Sequence, residues 1–494
     1  MAKTISIDPV TRIEGHARIS LFLEDDGTVY DCRLHIAQLR GFDAFCVGRP
    51  LEEMPALTAR TCGICPVSHL LASAKACDEL LAVRIPPAAQ RLRRLLNYGQ
   101  LVQSHALSFF YLSAPDLLLG MDSDPKKRNI FGVAQRFPEV ARAGVALRRF
   151  GQQIIERLAG KRIHPTWVVP GGVSRPLSRE NQQAILAELP ETLKAARKSL
   201  RLFPDLLSCF ADEIANFANF PSHYLALGGP AGMLEYYDGP LRMIDERRQT
   251  VFSEPSPSRY GVHLGEAVEP DSYLKSPYYR PLGPKAGLYR TGPLARLNAA
   301  SACGTPGADE ALIAFRALAP TGMAVQSSFY YHYARLIEII HSLEKIGELL
   351  ADPVILENRV RATADANDPE GVGICEAPRG TLIHHYQIDD QGRISSVNMI
   401  IATGHNNLAL NRGILQAARA FIGPAKPQAW DQTTTAEPVT GKIQGSNRGE
   451  SGRRRTGPGP QAQIREGLLN RIEGVMPLAV ELRRREDGAL IGNV

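Results

Sequence analysis

The chain opens in strict alternation. Ile19, Leu21 and Leu23 share one side, Asp25-Asp26-Gly27 offers a turn, and Val29, Leu34 and Ile36 resume, which predicts a hairpin within the first forty residues. From Pro86 the apolar period becomes helical: Pro86-Pro87 suits a first turn, and Leu92, Leu95 and Leu96 fall on one face. Further helices are predicted over 70–80, 140–158, 178–203, 204–220 and 325–350. In the last, Leu336, Ile339, Ile340, Leu343, Ile346 and Leu350 form one stripe for the core, and the opposite face is mostly polar. Between Pro221 and Thr321 the chain is dense in Gly, Pro and Tyr, which predicts irregular segments and short strands laid over the helices. A second hairpin is predicted from 381–386, a turn at 389–392, and 394–401.

The texture then changes. Over 423–466 the large apolar residues are Trp430, Val439, Ile443 and Ile464, too little to offset the entropy of ordering the segment by itself. Leu468 and Leu469 and a strand-like 476–482 follow. The expected organisation is therefore a folded domain over 1–422, a low-complexity segment over 423–466, and a short C-terminal remnant over 467–494.

Charge and composition narrow the classes. The excess of 57 Lys+Arg over 51 Asp+Glu is +6 across 494 residues, too dilute for a nucleic-acid surface. No uncharged apolar run approaches the roughly 18 residues of a membrane span. Eight cysteines in so long a chain, behind an N-terminus without a signal-peptide pattern, predict reduced thiols and a cytoplasmic setting.

The chemistry-bearing residues stand in a few phrases. Arg60-Thr-Cys62-Gly-Ile-Cys65-Pro-Val-Ser-His69 holds the one CxxC, a spacing that lets two sulfurs meet one metal ion. By themselves these residues leave three readings open: half of a metal site, a redox dithiol, or two buried cysteines. No partner CxxC or HxxxH completes a zinc finger, and no βαβ pattern suits a thioredoxin-type dithiol. Glu376-Ala-Pro-Arg379-Gly places an arginine in a turn entering a strand, able to offer its fork to an anion or to pair a structural carboxylate. Glu14, in Arg12-Ile-Glu-Gly-His16, is either a proton carrier or a charged group at a strand end.

Taken in order, Asp8-Pro-Val-Thr-Arg-Ile-Glu-Gly-His, Arg40-Gly-Phe-Asp43, the CxxC phrase and Glu376-Ala-Pro-Arg-Gly resemble the nickel-iron hydrogenase large subunit. The resemblance spans residues 5 to about 422. Gln103-Ser-His-Ala-Leu-Ser-Phe-Phe, Ser113-Ala-Pro-Asp-Leu-Leu-Leu-Gly-Met-Asp and His164-Pro-Thr-Trp look like the cytoplasmic, NAD-reducing branch. It implies an α+β, mainly α fold: a large helical bundle around a buried metal site with small peripheral antiparallel sheets. It also implies a Ni–Fe centre with carbon monoxide and cyanide on the iron, where soft thiolates suit nickel.

By motif position, Cys62 resembles a terminal nickel ligand and Cys65 a nickel–iron bridge. Arg379 would lie over the site and hydrogen-bond a cyanide, Thr403 would hold the other cyanide, and Glu14 would be the first proton acceptor. Asp43 stands where the family usually has a Glu ligand to magnesium and would reach the ion through water; the Met399 carbonyl would complete that magnesium site. The implied partners are a small subunit with Fe–S clusters, diaphorase subunits carrying FMN and NAD, and maturation factors that insert the metals and trim a tail. No GxGxxG or cluster-type cysteine spacing in this chain would hold those partner cofactors.

The pattern breaks near the end. The family's distal DPCxxCxxH, which supplies two further thiolates and a magnesium-binding His, is missing, and no cysteine follows Cys375. Its flanks persist as Gly467-Leu-Leu-Asn-Arg-Ile-Glu473 and Met476-Pro-Leu. This is expected of a frameshifted gene or of a natural loss of the site. Cys77, Cys303 and Cys375 are the remaining thiols that could substitute. The alternative reading is a metal-free scaffold, like the homologous large subunit of respiratory complex I.

Overall fold

The computed structural model describes residues 3–13, 15–37 and 41–422. Glu14, Arg40, the 423–466 segment and the 467–494 remnant lie outside the described residues.

Three strands open the fold: β1 (Lys3–Ile7), β2 (Ala17–Leu23) and β3 (Val29–Ile36), antiparallel in that order, with Ile5 opposite Leu21 and Ile19 opposite Leu34. The long helices follow: α1 (Pro66–Leu80), α2 (Pro87–Ala106), α3 (Pro138–Ala159) and α4 (Arg179–Leu207). The four-stranded sheet runs β4 (His223–Leu227), β5 (Leu241–Ile244), β6 (Thr250–Glu254) and β7 (Tyr289–Arg290) along the chain, in spatial order β7-β4-β5-β6. Its β7–β4 edge is parallel, a departure from the all-antiparallel expectation. Helices α5 (Pro293–Ala299) and α6 (Tyr331–Ala351) lead to a last sheet of β8 (Glu370–Ala377), β9 (Gly380–Ile388) and β10 (Ile394–Ile400), closed by α7 (Asn407–Ile422). The mainly helical architecture with small sheets matches the expectation.

The last sheet positions the site, and it is buried on both faces. Val372, Ile374, Ile383 and Ile400 pack against Leu225, Leu227, Leu241 and Met243 of the four-stranded sheet. Its other face receives α1, and the approach is so close that a Cβ on residue 373 would run into the Ala72 carbonyl oxygen; only glycine fits there.

Three expectations need correction. Helices over 178–203 and 204–220 are one helix to Leu207, because Pro204 sits in the final turn, followed by a short Ala211–Asn216 helix. Strand β8 is additional to the predicted hairpin; its apolar and glycine run has no alternation because both faces are covered. The polar face of α6 is buried as well: every residue from Tyr331 to Leu343 is inside, since Arg335, Glu338, His341 and Ser342 find an interior rather than solvent.

Candidate functional site

The CxxC loop is built by the start of α1. Cys65 precedes Pro66 at the first turn, and its N–H donates to the Cys62 Sγ at 3.0 Å. The two sulfurs face each other as a disulfide with Cα atoms 5.4 Å apart, and both residues are half-buried. A metal ion requires the pair reduced. The Ile64 carbonyl between them accepts from Gln100 Nε2 at 2.8 Å and Gln103 Nε2 at 3.1 Å.

One turn earlier on α2, Asn97 Nδ2 donates to the carbonyls of Tyr236 at 3.3 Å and Glu376 at 3.5 Å. Residues three apart on a helix share a face. That single face therefore ties the CxxC loop to the Glu376-Ala-Pro-Arg379 phrase. Pro378 and Arg379 are the two-residue turn between β8 and β9, with Ala377 opposite Gly380, and Arg379 is 5% exposed. Gly380 has φ +153°, and a Cβ there would strike Thr291 Oγ1. Thr291 in turn donates from Oγ1 to the Ala402 carbonyl at 3.4 Å and is held by Asn406. Thr403 follows directly, so the Arg379 turn and the segment leading into Thr403 both meet Thr291.

Met399 is buried in β10 opposite His384 of β9. Asp43 belongs to the short helix Phe42–Cys46, where its charge, after burial, helps push the Cys46 thiol up to about 11. Among the described residues no three His, Cys, Asp or Glu side chains gather as a metal cluster. Two of the substitute thiols already donate to backbone carbonyls. Cys77 donates to the Leu51 carbonyl at 3.3 Å, Cys375 donates to the Ser68 carbonyl at 3.4 Å, and burial pushes the Cys303 thiol far up.

Sequence reasoning misses several residues here. His69 Nδ1 and His384 Nε2 are 3.0 Å apart, and His384 Nδ1 meets the Tyr386 hydroxyl at 2.5 Å, a buried chain linking α1 to β9. Burial pulls His69 down to about 4 and His384 well below its usual value, so both are neutral at pH 7. Alternation along 384–386 is the signal that could have found this chain: His384 and Tyr386 point to one side of the strand. Arg335 lies buried near Arg379, and burial together with that second cation lowers it to about 9.

A family description reading "Nickel-dependent hydrogenase" matches residues 40–129 and 235–411, and a HoxL-like description matches 4–39. The chain is 41% identical to a chain of the vhu F420-non-reducing hydrogenase of Methanococcus voltae, over 85% of this chain and 99% of that one. The chain belongs to the nickel-dependent hydrogenase family. It is also 39% identical to the NAD-reducing hydrogenase HoxS subunit beta of Cupriavidus necator, over 86% of this chain and 89% of that one. Among solved structures, an NAD+-reducing NiFe hydrogenase in the H2-reduced state superposes with TM-score 0.84 at 40% identity, covering 96% of this chain and 97% of that chain. The Ni-Fe-Se hydrogenase of D. vulgaris Hildenborough shares the fold at TM-score 0.66 and 24% identity, covering 82% and 90%.

Reduced Cys62 and Cys65 would suit a nickel ion as two of its donors. The two sulfurs lie together at the start of α1, soft donors of the kind nickel prefers, and the buried Arg379 turn is tied to the same face of α2 as their loop. No cysteine follows Cys375 in the sequence. No helix among the described residues is long and apolar enough to cross a membrane.

Proposed function

We propose that this chain is the dihydrogen-activating large subunit of a cytoplasmic hydrogenase complex. A small subunit with Fe–S clusters would pass electrons to diaphorase subunits with FMN and NAD. The observation that supports this reading most is the convergence, along one face of α2, of the CxxC loop and the Arg379 turn in a fold shared with an NAD+-reducing hydrogenase. Relatives at 41% and 39% identity carry different names for their electron acceptors, so the NAD coupling rests on the structural likeness and the HoxL-like N-terminal match.

The motif resemblance supports a role for each residue. Reduced Cys62 and Cys65 would hold the metal centre, and Asp43 and the Met399 carbonyl would serve a magnesium ion. Arg379 presents a fixed cation inside a dry interior, where a donor acts most strongly on developing charge. Thr403 would offer its hydroxyl to the second cyanide, and Glu14 would be the first proton acceptor. When bound, the binuclear centre supplies the heterolytic cleavage of dihydrogen; CO and cyanide belong to its iron.

Two thiolates leave half of a four-sulfur nickel sphere unfilled, so H2-dependent NAD+ reduction by the assembled complex requires that other residues complete the site; where it is measured, Arg379→Lys should lower its kcat by about 10²-fold or more, the usual size of a lost preorganised donor. Unchanged turnover in that variant would remove Arg379 from the site. A second reading is a metal-free scaffold, favoured by the missing distal thiolates and by the lack, among the described residues, of any cluster of three metal-ligating side chains.

A further inference from the structure

Arg296, in α5, is fully buried and uses all five of its N–H donors. Nε and Nη2 hold the two Glu338 oxygens at 2.7 Å each, which anchors the guanidinium to α6. The remaining donors reach the chain just before Arg379: Nη1 to Glu376 Oε2 at 2.8 Å and to the Ala377 carbonyl at 2.9 Å, and Nη2 to the Pro378 carbonyl at 3.2 Å. Glu376 is itself fixed by the Leu227 N–H at 2.9 Å and the Thr381 hydroxyl at 2.8 Å. Three consecutive residues of the turn are thus held by one planar fork, a geometry that an ammonium cannot reproduce.

We propose that Arg296 is a positioning residue that fixes the direction of Arg379 by clamping the Glu376 side chain and the 377–378 backbone to α6. The inference rests on the proposed role of Arg379 for its functional meaning, while the clamp itself is a property of the polypeptide. Without the fork, the two-residue turn would keep its hydrogen-bonded strands and lose the anchors at its tip.

The test is amide hydrogen exchange of the full chain, with and without Arg296→Lys, followed on peptides covering 375–382. Lysine keeps the charge beside Glu338 and Glu376 and gives up the fork. About tenfold faster exchange confined to that turn, with α1 and α2 unchanged, is the expected result. Unchanged exchange at the turn, or acceleration spread evenly over the chain, overturns the proposal. Should Arg296→Lys fail to fold, Glu338→Gln loosens the same anchor while preserving shape and is read in the same way. Where the wild-type complex carries its metal centre, a shift of the cyanide infrared bands in Arg296→Lys is a second expected readout. Wild-type protein lacking those bands would count against the hydrogenase reading alone, since the exchange result still decides the clamp.

Discussion

Lowering the pH from 7 to 5 is expected to unfold this chain. His69 and His105 are held down to about 4, His332, His341 and His405 to about 3, and His384 well below its usual value, in each case chiefly by burial. The unfolded chain titrates these imidazoles near 6.5 and so binds more protons than the folded one as the pH falls below that value. Stability is complete above the unfolded value and is lost on acidification until the folded values are reached. Each group costs up to about a tenfold change in the folded-to-unfolded ratio per pH unit below about 6.5, so five such histidines together cost about 10 kcal/mol by pH 5, comparable with the roughly 5–15 kcal/mol of a typical domain. Glu79, Asp116 and Glu376, whose carboxyls burial pushes up, protonate first in the folded chain and offset part of the loss at the lower end of the window. A far-ultraviolet circular dichroism titration should show a midpoint near about pH 5. A chain that stays folded to pH 4 would mean that these imidazoles reach water or find acceptors.

Glu338→Ala should be the most damaging single substitution away from the thiolates. Glu338 takes two Arg296 donors at 2.7 Å and the His105 Nε2 at 2.7 Å, and these partners hold its carboxyl down to about 2 despite full burial. Removing it leaves a buried guanidinium with one carboxylate instead of two and strands His105, a loss of about 3–5 kcal/mol. Glu338→Gln keeps the volume and one acceptor and should cost about 1–3 kcal/mol. Urea unfolding of both variants reads the difference. A cost below about 1 kcal/mol for the alanine variant would show that water replaces the carboxylate.

The same network shows where sequence reading stops. The hairpins, α2 and the stripe on α6 are legible because one face of each carries the period. The polar side of α6 is not, since a Glu, an Arg and two His at helical spacing look like a solvated face until Arg296 and His105, 42 and 233 residues away, supply the partners of Glu338. Strand β8 is hidden for the complementary reason: buried on both faces, it shows no alternation. Cys62, Cys65, Arg379 and Thr403 are legible as motif residues, and the structure sets their loops around α2 and Thr291. Asn97, Gln100 and Gln103, which bind those loops through backbone carbonyls, leave no signal, because any chain has carbonyls to offer.

The central claim is that Cys62 and Cys65 are the metal-holding half of a hydrogenase site. It is tested most directly by nickel and iron content per chain, with an infrared spectrum of the same sample. The protein would be co-expressed with maturation factors and its small subunit, beside Cys62→Ser and Cys65→Ser variants. Nickel retained by the wild type together with CO and cyanide bands, and lost in both variants, is the predicted result. A folded complex without nickel and without those bands would contradict it and leave the scaffold reading in its place.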